Sequence, residues 1–180
     1  MASYDVELLS AARSLLDKPQ GRRGKLSRAR TRRAISTAYY ALFNFLIEEV
    51  GLQIVGTRNE LTTRKRILAR SLTHAGMKVA AERVRGPRIV DGFERYFGVS
   101  VAPLFARDLA RTFVDAQSKR HNADYDLNEP VAEAEASALI DRIAVDVASW
   151  RGANAIADRD FKQAFCLLLL LRGQLRADKH

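Results

Sequence analysis

The chain has 180 residues, 47% of them hydrophobic and 28% charged, a balance that suits one globular domain with its own core and excludes a disordered chain. Lys and Arg number 30 against 21 Asp and Glu, a formal charge of +9. The longest apolar run, Ala164 to Leu171, falls well short of the roughly twenty residues of a bilayer span, and a single cysteine, Cys166, excludes an internal disulfide and every multi-cysteine zinc site.

Hydrophobic periodicity predicts helices from end to end. Leu8, Leu9, Ala12, Leu15 and Leu16 recur at the helical period, with Ser3 as a cap, Asp5 and Glu7 at the positive end, and Lys18-Pro19-Gln20-Gly21 as a stop. A second helix carries Ile35, Tyr39, Leu42, Leu46 and Val50 and should end at Gly51 to Gly56. Thr57-Arg58-Asn59-Glu60 has the form of a capping box before a third helix through Leu61, Leu68, Leu72, Ala75 and Val79, with Gly76 as its weak point and Gly86-Pro87 as its end. Residues 87–102 read as a loop. Pro103 opens a fourth helix with the stripe Phe105, Leu109, Phe113, Ala116 and Arg120. After the breakers at 126–130, a fifth helix runs through Leu139, Ile143, Val147 and Trp150, and a last one covers Asp158 to about Arg176. No strand pattern, repeat or linker appears. The fold class is all-α: an antiparallel bundle of five to six helices in a single domain over 1–180. The N-terminus lacks the basic start and apolar core of a signal peptide, and a cytoplasmic, reducing setting is the default expectation.

Charge is unevenly spread. Residues 1–120 hold 23 bases and 11 acids; residues 121–180 hold 7 bases and 10 acids. No acid occurs from Lys18 to Ile47, and eight bases crowd positions 18–33. Such a stretch suits a polyanion such as RNA or an acidic protein partner, while a solvated helix start in an Arg-rich chain gives the same pattern. The nucleic-acid-binding candidates are Arg22, Arg23, Arg28, Arg30, Arg32, Arg33 and Arg120. Phosphate loops, dinucleotide fingerprints and nucleophile elbows are absent, and no cofactor or metal is expected. Cys166 sits between Phe165 and Leu167, where an inert core thiol is expected.

Two segments stand out. Ala34, Ala38 and Ala41 permit close helix approach, and Tyr39 and Tyr40 place one ring inward and one beside it, each with a hydroxyl that needs a partner. Arg120 falls seven residues after Phe113, so it points with the core stripe and needs a carboxylate or a phosphate. Asp124, four residues on, can supply the carboxylate.

Ala38-Tyr39-Tyr40-Ala41-Leu42-Phe43, Thr73-His74 and Arg120-His121-Asn122-Ala123-Asp124-Tyr125, in that order, resemble a prokaryotic branch of the HEPN family over about residues 5–150. The helix beyond residue 152 lies outside the usual family core. The resemblance implies a dimeric helical bundle whose polar motifs face one cleft. It implies a toxin- or defence-type protein acting on or binding RNA, in several cases with a nucleotidyltransferase as antitoxin. Many members are metal-independent ribonucleases that use Arg, then four to six residues, then His. Here Tyr125, Asp126 and Leu127 occupy the positions where that His would stand. The candidate catalytic residues carried over are Arg120, His74, His121, Asp124 and Tyr125. The alternative is a catalytically silent homodimer that serves as an interaction module for a nucleotidyltransferase or defence partner. A homodimer is also suggested by Leu167 to Leu171, which cover more than one helix face.

Overall fold

The computed structural model describes residues 3–17, 27–56, 62–89, 92–126, 128 and 130–172. These residues are helical without strands, as an all-α bundle requires. The elements are α1 (Tyr4–Leu16), α2 (Arg28–Val55), α3 (Thr62–Ser71), α4 (His74–Val84), α5 (Glu94–Phe97), α6 (Leu104–Tyr125), α7 (Glu133–Gly152) and α8 (Ile156–Leu170).

Helix α2 is the axis of the bundle, with α1, α3, α6, α7 and α8 packed around it. Its 28 residues span about 42 Å. Ser27 caps its start by accepting from the Arg30 amide at 3.4 Å. Its small residues Ala34, Ala38 and Ala41 are wholly buried, so neighbouring backbones come close on more than one side. The helix passes through Gly51 and stops at Gly56, whose φ of +97° suits only glycine well. Trp150, Tyr39, Phe45, Phe113 and Phe165 are the largest fully buried side chains of the core.

The predicted third helix is two helices. The break falls at Leu72-Thr73, because Leu72 turns into the core and the Thr73 hydroxyl accepts from the Gly76 amide at 3.2 Å, capping a new start at His74. Gly76, the expected weak point, lies in the first turn of α4. Arg172 packs on it so closely that a Cβ there would meet Arg172 Cγ at 2.8 Å. The predicted loop 87–102 carries the short α5, ended by Gly98 at φ +67°, and Phe97 stacks on Phe161 with ring centroids 4.7 Å apart. Helix α8 starts at Ile156 rather than Asp158, because the Asp158 carboxylate reaches back to accept from the Ala155 amide at 3.1 Å. It buries Phe161, Phe165, Cys166, Leu168 and Leu169 in the common core. The capping box at Thr57–Glu60 lies outside the described residues. Among the described residues, no helix is long and apolar enough to cross a membrane.

Basic side chains close several helix C-termini. Arg30 donates to the carbonyls of Ser14 (3.0 Å) and Asp17 (2.9 Å) at the end of α1. Arg32 donates to those of Asn122 (3.2 Å) and Asp126 at the end of α6. Arg111 serves Arg85 after α4 at 2.7 Å, and the buried Lys162 serves Ala153 after α7 at 2.5 Å. Terminal carbonyls carry the negative end of the helix dipole and keep lone pairs to spare, so a cation is favourable there.

Candidate functional site

The three motif segments meet where α2, α4 and α6 pack. Ser36, Tyr39, Tyr40 and Phe43 share one face of α2 by their three- and four-residue spacing. His74 is the first residue of α4, held there by the Thr73 cap. Arg120, Asp124 and Tyr125 lie on the last turns of α6.

Arg120 is the hub. Its Nε lies 2.7 Å from Asp124 Oδ2, and its Nη2 donates to the Tyr40 hydroxyl at 3.1 Å. Its guanidinium carbon is 6.0, 5.6 and 5.6 Å from the ring centroids of Tyr39, Tyr40 and Tyr125, within cation–π range. Ser36 donates its hydroxyl to Asp124 Oδ1, which orients the carboxylate from below. Arg120 and Asp124 keep 18% and 25% side-chain exposure, so the pair is reachable from solvent.

His74 sits on the other side of the tyrosines. Its ring lies 4.0 Å from that of Phe43, and its Nδ1 is 2.5 Å from the Tyr39 hydroxyl. Desolvation pushes its pKa down, and the positive Arg120 pushes it further in the same direction. The imidazole is therefore neutral at pH 7. Tyr39 is fully buried, and desolvation raises its phenol well above the ordinary value. Its hydroxyl keeps its proton and shares a hydrogen bond with Nδ1.

The remaining sequence candidates separate. His121 is exposed and one position round the helix; its ring lies 5.1 Å from that of Tyr125, at the rim of the cluster. Arg32 is buried against the end of α6, and Arg30 is spent on the end of α1. Arg28 and Arg33 are exposed. Arg22 and Arg23 lie outside the described residues. Burial raises the Cys166 thiol far above its usual value, as an inert core cysteine requires. Sequence reasoning missed Ser36 as part of the cluster and named Phe43 only within the motif. Their spacing from Tyr39 and Tyr40 on one helix face was the available signal. Among the described residues, no group of three or more His, Cys, Asp and Glu side chains is placed to hold a metal ion.

The chain matches no family model, no curated protein and no solved structure.

Proposed function

We propose that the chain is a HEPN-type protein that binds RNA at the Arg120 cluster, in a toxin- or defence-type role. The observation that carries the reading is the convergence of three segments, far apart in sequence, on one solvent-reachable guanidinium ringed by tyrosines. A guanidinium held by a carboxylate at Nε and a hydroxyl at Nη2 is preorganised to receive a phosphate on its remaining donors. A neutral His74 in the same cluster can share a hydrogen bond with a bound phosphate oxygen. Metal-independent ribonuclease chemistry, which the resemblance implies, is the second reading, with His74, 5.9 Å from Tyr40 between ring centroids, as its acid or base. The partner implied by the resemblance is a nucleotidyltransferase.

Arg120→Ala tests the proposal. Labelled single-stranded RNA should lose affinity for the variant by about tenfold or more, because a phosphate ligand is gone. The melting temperature should fall by an amount corresponding to about 1–3 kcal/mol, because Asp124 and Tyr40 lose a charged, largely buried partner, while the fold is kept. Arg120→Lys should recover only part of the binding, since it keeps the charge and loses the fork. Unchanged RNA affinity in Arg120→Ala overturns the reading. RNA cleavage in EDTA that disappears in His74→Gln favours the second reading.

A further inference from the structure

Helix α3 is the one described helix of more than one turn that buries none of its residues. Its sequence, Thr62-Thr63-Arg64-Lys65-Arg66-Ile67-Leu68-Ala69-Arg70-Ser71, holds four bases and no acid. Arg64, Arg66 and Arg70 are exposed, and no carboxylate among the described residues forms an ion pair with them. Lys65 lays its methylenes over Gly51 of α2, while a groove of about 460 Å³ separates the rest of the two helices. A helix packed this lightly contributes little to the core, and its four cations repel one another, with Glu48 and Glu49 of α2 lining the same groove as Lys65 and Arg66.

The helix ends at the candidate site. Ser71 is followed by Leu72, Thr73 and His74, so Arg70 lies within about 14 Å of His74 along the chain. Arg66 and Arg70 stand one helical turn apart on one face, about 6 Å along the axis. Arg172 adds a cation at the same end, where its Nη2 donates to the Ser71 carbonyl at 3.3 Å.

We propose that α3 is a phosphate-binding track that leads a single-stranded RNA to His74 and Arg120. The proposal rests on the RNA-binding reading of the Arg120 cluster and adds a second surface to it. A membrane surface is the other polyanion a basic helix can meet, but an in-plane helix needs a continuous apolar face. Here Ile67, 66% exposed, stands alone among the bases.

The test compares the full chain with R64Q/R66Q/R70Q, using a labelled oligouridine of about 20 nucleotides over a salt series. Each lost phosphate contact on a single strand removes about 0.7 from the slope of log affinity against log salt, so the slope should flatten by about 2. Melting should stay unchanged, since α3 buries nothing. R64K/R66K/R70K should bind as the parent does, which separates charge from helix stability. Unchanged affinity and slope in the Gln variant, while Arg120→Ala still loses binding, overturns the track and leaves the site reading standing. No RNA binding by the parent overturns both. Loss of binding to phosphatidylserine vesicles with RNA binding intact overturns the track in favour of a membrane surface.

Discussion

The hydroxyl of Tyr39 is wholly buried, and it shares its proton with an imidazole. Two forces act on His74 in the same direction: burial, which is the larger, and the field of Arg120. Removing the second leaves the first, so Arg120→Gln should raise the His74 pKa without restoring its ordinary value of 6.5. A proton NMR titration of the imidazole reads this directly; an unmoved pKa would show that the two groups do not share a cluster in solution. The sign for stability follows. A histidine whose folded pKa is lowered contributes stability that is present above pH 6.5 and is lost as pH falls toward the folded value. Asp146 runs the other way: burial is the main cause that raises its carboxyl, so its contribution falls as pH rises from about 4. The two windows differ, and His74→Gln should remove the loss just below pH 6.5 alone. At this scale the sequence was most legible where helical phase decides. The seven-residue step from Phe113 to Arg120 and the four-residue step to Asp124 indicated a pair, and the pair forms. Ser36 was not legible, because its partner Asp124 is 88 residues away and a serine inside a helix carries no periodic signal.

Among the helices, the bases at the start of α2 divide into two kinds of residue. Arg30 and Arg32 point to the ends of α1 and α6, and Arg33 points to solvent. Arg32 is 7% exposed and donates to carbonyls at the end of the helix that carries Arg120. Arg32→Gln should therefore lower the melting temperature, by an amount corresponding to about 1–3 kcal/mol, as buried acceptors lose a charged donor. Arg33→Gln should leave melting unchanged and weaken RNA binding modestly. Calorimetry and anisotropy on both variants separate the roles; equal melting of the two would contradict the cap. Run length and charge density announce such a stretch, yet they do not tell caps from surface, since the receiving carbonyls lie 13 to 94 residues away. The same holds for the helix break. Both Thr73 and Gly76 favour an interruption, and the choice was made by Leu72 entering the core and by Arg172 packing on Gly76. Stripes located the other long helices well, because burial on one face leaves a period that needs no distant partner, whereas the four residues of α5 are too few to show one.

For the molecule as a whole, the apolar surface open to a second copy is smaller than the run of leucines suggests. Leu167 to Leu171, four residues of α8 and the one that follows it, suggest more apolar surface than one chain can cover. Leu168 and Leu169 are in fact buried and Leu170 packs against the core, so only Leu167 and Leu171, 42% and 44% exposed, remain outside. They lie one turn apart on one face, and Ile156, 74% exposed, returns to that face three turns earlier. The other exposed ring beside functional groups is Tyr125, 65% exposed and in contact with Arg120. If two copies meet as the HEPN resemblance implies, the α6 ends face each other and Tyr125 is covered; if they meet through α8, Leu167 and Leu171 are covered. Light scattering should give a mass of about 40 kDa, twice the 20.1 kDa of one chain. Tyr125→Ser should then shift the mass toward the monomer, while Leu167→Ser with Leu171→Ser should not. The opposite pattern would move the interface to α8 and leave each Arg120 cluster to work alone. A mass near 20 kDa at micromolar concentration would remove the two-chain cleft altogether, and RNA affinity in that case should be independent of protein dilution.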